Sequence, residues 1–444
     1  MLSQNAVRVL YRLKDNGFTA RLVGGCVRDL LLGREPKDFD LVTNATPAQI
    51  KRLFRNCRLI GRRFRLAHLH FGDEILEVAT FRAAQAEETE EPEAGPARQG
   101  GPGTPVGERH VRSPRHLKNE EGMVLRDNVF GDPAEDAARR DFTVNALSYN
   151  IDDFSIIDYV GGIADLRRGM IRTIGNPSVR FTEDPVRMLR AVRFAAMLGF
   201  TVEAETWRAI LELAPTVSRA TPPRLYEEAL KLLLLGEGGK SFQLLRQTGL
   251  FASLFPAFSA WLERETDGFP HTRVGHALDW VDTRIRQGGK VEPPLLFALL
   301  FSEYLEDKEA ASRQAGAPPQ QAIDMAIAGL LEELASTIAV PNRTGGMLRQ
   351  IITCHHRLRK PPGRRAHSFI SKPGFGDAME YLRFISEVTG NEANALACWE
   401  QFVRDNPLPA DGERACGEEE KSTPTGASQR VRRRRRRRPT SAKC

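Results

Sequence analysis

Apolar and polar positions along this chain follow two different periods, and the change between them divides it. Between residues 3 and 14 apolar side chains recur three and four apart, the spacing of one buried helix face. Residues 20–23 and 38–43 are short runs that predict strands, with helical spacing over 27–32 between them. Thr46-Pro47 supplies an N-cap and a first-turn proline for a helix reaching residue 54. Three more strands are predicted over 57–61, 66–71 and 74–82, the last alternating Ile75, Glu77, Ala79 against Leu76, Val78, Thr80. A helix over 133–148 and strands over 156–160 and 170–174 complete a mixed α/β region. From residue 183 onward the spacing is almost wholly helical, with helices predicted over 185–198, 204–213, 224–235, 240–248, 274–286, 294–304, 320–338, 344–357, 376–388 and 392–403.

Two stretches carry no such pattern. Between 83 and 119 the chain turns to Glu87-Glu-Thr-Glu-Glu-Pro-Glu and then to Gly-, Pro- and Arg-rich sequence that cannot bury a core, which predicts a mobile surface insertion. After residue 406 the composition is polar and ends in Arg430 and the unbroken run Arg432, Arg433, Arg434, Arg435, Arg436, Arg437 and Arg438. Seven adjacent like charges repel one another, so this tail is expected to be disordered and to attract polyanions. A chain of 444 residues is long enough for two to four domains. The expected division is a head over 1–150 containing the insertion, a neck over 151–215, a helical body over 216–405 and a basic tail over 406–444.

Composition adds exclusions. With 41% apolar and 27% charged residues and a net charge of +7, the chain reads as a soluble, mildly basic protein. Its six cysteines form no Cys-x-x-Cys pair and suggest reduced thiols in the cytoplasm rather than a disulfide framework or a zinc site. No apolar run approaches the length of a membrane span, and no export segment is recognisable.

The densest chemistry lies in residues 22–43. Asp38 and Asp40, one residue apart in a predicted strand, point to the same side and can hold divalent metal. Gly24-Gly25 falls at a strand-to-helix turn, where the backbone can approach phosphate oxygens and free N–H groups are offered. Arg28 adds a fixed charge with a forked donor set. A phosphate turn followed by a metal-binding Asp-x-Asp strand implies chemistry on a nucleoside triphosphate.

This run resembles the signature of the class II nucleotidyltransferases, the superfamily of bacterial poly(A) polymerases and CCA-adding tRNA nucleotidyltransferases. The resemblance implies an α/β nucleotidyltransferase head with a polymerase-β-like palm, followed by all-α domains. It implies transfer of a nucleotide to an RNA 3′ end, using two Mg2+ ions, for which Mn2+ can substitute, with ATP as substrate. Two ions call for a third carboxylate, and the candidates are Glu77 and Asp141. The family motif matched by Arg139-Arg-Asp-Phe-Thr-Val-Asn145 favours Asp141, with Arg140 at the triphosphate and Asn145 placed to orient Asp141.

A second match is Glu183-Asp-Pro-Val-Arg-Met-Leu-Arg-Ala-Val-Arg-Phe194. Its helical wheel opposes an apolar stripe of Met188, Leu189, Val192, Ala195 and Ala196 to Arg187, Arg190 and Arg193. By the resemblance, Asp184 and Arg187 read the incoming base while Arg190 and Arg193 lie near phosphate. The segments 61–68, 126–131 and 224–232, with the arginine tail, resemble poly(A) polymerases more than CCA-adding enzymes. The expectation is therefore a template-independent adenylyltransferase acting in mRNA polyadenylation and RNA decay, with RNA-decay proteins as further partners and no membrane. A CCA-adding or A-adding tRNA nucleotidyltransferase is the alternative. His68 and His70 lack the companions of a metal site, and His355 and His356, being adjacent, diverge on a helix and suggest surface rather than ligand.

Overall fold

The computed structural model describes residues 2–61, 66–83, 117–118, 124–126, 130–266 and 269–407. Almost all of the expected insertion and the whole arginine tail lie outside the described residues.

Helix α1 (Gln4–Asp15) begins where the Ser3 hydroxyl accepts from the Ala6 amide, and it buries Ala6, Val9, Leu10 and Leu13. The chain then runs through β1 (Ala20–Val23), α2 (Gly25–Leu31), β2 (Asp40–Thr43), α3 (Pro47–Leu53), β3 (Cys57–Ile60), β4 (Leu66–Phe71) and β5 (Glu74–Thr80). Short strands β6 (Leu117–Lys118) and β7 (Val124–Arg126) pair with each other. After α4 (Pro133–Ala138) come β8 (Ser148–Asn150) and β9 (Ile156–Ile157). Seven of these strands form one sheet in the order β3-β4-β5-β2-β1-β8-β9. The β2–β5 ladder is parallel and the other ladders of this sheet are antiparallel. A parallel neighbour requires a crossover, here supplied by α3 and the β3–β4 hairpin. Its register sets Asp40 opposite Glu77.

Two expected elements are corrected. The helix predicted over 133–148 stops at Ala138, gives way to a single 3-10 turn at Thr143–Asn145, and ends as strand β8 on the free edge of β1. Tertiary hydrogen bonds outcompete the helix: the Thr143 amide donates to the Arg172 carbonyl at 3.0 Å, and the Thr143 hydroxyl to Asp165 at 2.7 Å. Strand β2 starts at Asp40 rather than 38, so Asp38 precedes the ladder.

The connection to the helical half runs through α5 (Gly162–Arg168), β10 (Met170–Ile171), α6 (Pro177–Glu183), α7 (Val186–Leu198) and β11 (Thr201–Val202), with β10 and β11 paired in parallel. Neither α5 nor α6 follows from periodicity, because both are short and are held by caps. Asp158 accepts the amides of Val160, Gly161, Gly162 and Ile163 at 2.9–3.1 Å ahead of α5. The Asn176 side chain caps α6.

Helix α7 buries the predicted stripe of Met188, Leu189, Val192, Ala195 and Ala196. It packs on α9 (Pro222–Leu233) and α10 (Gly238–Gln247), beyond α8 (Ala204–Leu213). The remaining helices are α11 (Leu250–Leu254), α12 (Pro256–Leu262), α13 (Arg273–Arg286), α14 (Pro293–Leu300), α15 (Ser302–Gln314), α16 (Pro319–Ala335), α17 (Asn342–Leu358), α18 (Ala366–Ile370), α19 (Phe375–Thr389) and α20 (Ala393–Asp405). The single helix expected over 294–304 divides at Phe301 into α14 and α15. Most buried apolar side chains form one continuous cluster from Ala6 to Trp399, so the sheet and the helices share a core. Among the described residues no helix is long and apolar enough to cross a membrane.

Candidate active site

Three carboxylates gather at the start of β2, where it lies beside the middle of β5. Asp40 opens the β2 ladder beside Glu77, and Asp38 lies two residues earlier, exposed. Asp40 is open to solvent on one side yet crowded by protein on the others. That burial, with the charges of Glu77 and Asp38 adding to it and Arg140 opposing, pushes its carboxyl up to about 6. Glu77 Oε1 stands 3.1 Å from His68 Nε2 across the β4–β5 ladder. Three negative groups therefore face one arginine at the cleft. Among the described residues no group of three or more Asp, Glu, His or Cys closes into a metal cage. An all-oxygen set that is open on one side still fits Mg2+, which takes one or two carboxylates together with substrate phosphates.

The glycine turn faces this cluster. Gly24 has φ +79° and donates its amide to the Leu147 carbonyl at 3.0 Å. A Cβ there would sit 3.1 Å from Arg140 Nη1, so the turn requires glycine both for its backbone angle and for the close approach of that guanidinium. Gly25 is the first residue of α2. Arg140 is anchored by Asp136 at 3.1 Å and by the Asn145 carbonyl at 3.4 Å. Its charge reaches Asp40.

Arg28 stands beside the turn, its Nη2 3.6 Å from where a Cβ on Gly25 would sit, but its guanidinium is already engaged. It is buried, donates to Asp29 at 2.7 Å and to Asn145 Oδ1 at 2.7 Å, and lies 5.2 Å from the centre of the Phe194 ring. Burying a guanidinium requires that its donors be satisfied internally, and here they tie α2 to the turn that carries Asp141.

Asp141 belongs to a different cluster from Asp40. Burial alone would raise its pKa, but Arg190, Asn145 and the Phe142 amide outweigh it and hold the carboxyl down to about 2. Arg190 grips it with Nε at 2.7 Å and Nη2 at 2.6 Å, and Asn145 Nδ2 donates to the other oxygen at 3.2 Å. Asn145 thus orients Asp141 as expected, although through a 3-10 turn and not along a helix.

Asp184 and Arg187 lie at the junction of α6 and α7. Arg187 Nη1 donates to the Arg180 carbonyl at 3.0 Å and approaches Glu183 at 3.3 Å. Asp184 Oδ2 accepts from Arg224 at 2.8 Å, whereas its Oδ1 is buried with no hydrogen-bond partner. Arg193 pairs with Glu228. Sequence reasoning missed the parts played by Arg224 and Glu228, one turn apart on α9, although the run 224–232 is among the segments that resemble poly(A) polymerases. It also missed Asp136 and Arg180. The Arg180 guanidinium donates to the carbonyls of Arg139 and Arg140, and burial pulls its pKa down to about 10. The tail arginines 432–438 lie outside the described residues.

Three family models match the chain. They are the poly A polymerase head domain over residues 20–172, the "Probable RNA and SrmB- binding site of polymerase A" over 199–262, and the polymerase A arginine-rich C-terminus over 315–439. A curated relative, "Poly(A) polymerase I" of Salmonella typhi, is 43% identical over 90% of this chain and 82% of its own length. A "CCA-adding enzyme" of Lactobacillus gasseri is 34% identical, over 55% of this chain and 54% of its own. In three dimensions the fold is similar to that of the Bacillus stearothermophilus CCA-adding enzyme in complex with CTP, with a TM-score of 0.60, 24% identity, and coverage of 91% of this chain and 83% of that one. The sheet, the cleft and the head-domain match together define a class II nucleotidyltransferase. Within that class the identity and coverage are decisive. The chain belongs to the poly(A) polymerase family and is a polynucleotide adenylyltransferase.

Proposed function

We propose that this enzyme moves AMP from ATP onto RNA 3′ ends with release of pyrophosphate, and that Asp38, Asp40 and Glu77 hold Mg2+ at the reacting phosphate. The observation that carries this reading is the Asp40–Glu77 register, which sets two carboxylates side by side with Arg140 opposing them. Asp38, Asp40 and Glu77 would hold Mg2+, which would supply Lewis-acid activation of the attacking 3′-hydroxyl and charge stabilisation for the leaving oxygens. Arg140, fixed by Asp136 above the Gly24 turn, meets the triphosphate. Asp141, already paired with Arg190, is a positioning residue that sets the α7 arginines against the head.

Base choice falls to Asp184 and Arg187. The free Oδ1 of Asp184 is an acceptor suited to the adenine amino group, and Arg224 fixes the carboxylate so that it presents that oxygen in one orientation. A base with the wrong edge would leave the buried oxygen unpaired, which discriminates more strongly than a change in shape. Phosphates of the RNA strand would be gathered by the helical half and the arginine tail, giving weak sequence preference and steep salt dependence. The match over 199–262 makes this part of the chain the candidate surface for RNA and for proteins of RNA decay.

The test gives the purified protein unstructured RNA or tRNA lacking its terminal nucleotides, with ATP or CTP alone. ATP should be incorporated repeatedly into both RNAs and CTP scarcely at all. CTP incorporation at rates near those of ATP would rule out the adenylyltransferase assignment.

A further inference from the structure

Remote from the sheet, α13, α15, α16, α17 and α19 surround a cavity of about 240 Å³. That volume corresponds to about eight liquid-water molecules, or to one purine ring system with some room to spare. Part of the lining is apolar, from Leu305, Ile323, Ile327 and Ile352. The rest is polar and already internally balanced: Glu306 takes Arg273 at 2.6 Å, Glu309 takes Arg313 at 3.7 Å beside the His356 ring at 3.1 Å, and Glu392 takes His355 at 2.9 Å and Arg359 at 2.6 Å. With each carboxylate matched by a cation, the cavity offers dipoles without surplus charge. Its enclosed part therefore suits a neutral, hydrogen-bonding ring better than a metal ion or an amine, and a charged group attached to that ring belongs on the open side.

Two lining hydroxyls have nothing to bond. Ser302 is 1% exposed and Tyr381 2% exposed, and neither hydroxyl makes a hydrogen bond with a described residue. Their oxygens keep contact with the cavity space, so each hydroxyl is free to bond a ligand group or solvent held there. The Tyr381 ring stands at 90° to that of His355, with centroids 4.8 Å apart, which leaves flat aromatic surface in the lining. Asn391 lines the exposed side of the cavity, and its side-chain amide is also without a hydrogen bond among the described residues. An amide presents a donor and an acceptor side by side, the pair that matches N6 and N7 of adenine. Arg359, with 54% of its side chain exposed, brings a guanidinium to the same side, where a phosphate would lie.

We propose that this cavity is a second adenine-binding site, separate from the catalytic cleft. It takes an adenine ring with an attached phosphate, from either a strand of poly(A) or a free adenine nucleotide. The proposal rests on the adenylyltransferase reading only for the abundance of adenine near the enzyme; none of its residues is shared with the cleft.

The test uses the full chain carrying Arg187→Ala, so that base reading at α7 is removed, and measures binding of AMP and of a fifteen-nucleotide oligo(A), with CMP and oligo(C) as controls. One of the two adenine probes should still bind, with AMP identifying a nucleotide source and oligo(A) alone identifying the strand. Asn391→Ala should weaken that binding about tenfold, the effect of losing one bidentate amide–base pair. Tyr381→Phe should weaken it severalfold at an unchanged melting temperature, because the hydroxyl has no protein bond to lose. CMP and oligo(C) should not respond to either change. If neither adenine probe responds to Asn391→Ala, Tyr381→Phe or the cavity-filling Ala326→Leu in proteins that melt normally, the cavity holds only solvent and the proposal fails. Failure of the catalytic reading would look different: Arg187→Ala would then leave the preference for ATP over CTP in incorporation intact.

Discussion

Asp40 shares its cleft with Glu77 and Asp38 against one arginine, whereas Asp141, on the neighbouring turn, is enclosed by Arg190, Asn145 and a backbone amide. The same side chain is pushed up to about 6 in the first setting and held down to about 2 in the second. A carboxylate whose charge the fold leaves unbalanced is where an incoming cation gains most. One whose charge is already matched is part of the frame. The comparison separates chemistry from scaffold among residues that a motif places in one group.

The sharpest way to break it is Asp40→Ala. RNA affinity should survive while nucleotide incorporation falls by roughly a thousandfold or more, measured as single-turnover extension of a labelled RNA. Retained incorporation would mean that the unbalanced site is not the metal site. Asp141→Asn should act on the other side of the comparison, leaving Arg190 facing a neutral amide. Because Arg190 is partly exposed, the expected loss of folding stability is about 2–3 kcal/mol, below the range for a fully buried pair. In the native protein this stabilisation is present above the ordinary carboxylate pKa and is lost as pH falls from about 4 through 2. Denaturant titrations of both proteins at pH 7 and pH 3 would check it, and their difference should shrink at the lower pH.

Magnesium dependence sharpens the comparison further. Asp40 with a pKa of about 6 carries a proton below that pH, and binding a cation must displace it. The half-saturating magnesium concentration should therefore fall about fivefold as pH rises from 5 to 6 and level off above 7. A flat profile would show that Asp40 is not the titrating ligand. The smallest effect concerns specificity. Arg224→Ala frees the Asp184 carboxylate to turn, and the ratio of ATP to CTP incorporation should drop about tenfold while ATP incorporation changes little.

Much of this fold can be read from alternation and helical spacing. Strands β1, β4 and β5 and the buried face of α7 lie where the pattern puts them, because each has one face on a shared core. The stretch after Ala138 misled because its periodicity is compatible with a helix, and what overrides it is remote: Arg172, Asp165 and the open edge of β1. The site divides in the same way. Asp38, Asp40 and the glycine turn can be read locally, since a spacing of two residues or a positive φ is a local property. That Glu77 lies beside Asp40 depends on a parallel register set by a crossover, which no local spacing encodes. Arg28 looks like a ligand in sequence because internal and external donors are the same chemical group. The grip of Arg224 on Asp184 spans forty residues and becomes visible only once α9 is packed on α7.

Arg180 reaches back from α6 to hold the carbonyls of Arg139 and Arg140. Any hinge between the cleft and the base-reading helix would have to tear a deeply seated cation from both of them. One side chain thereby clamps the turn behind Asp141 to the start of the arginine-bearing helix.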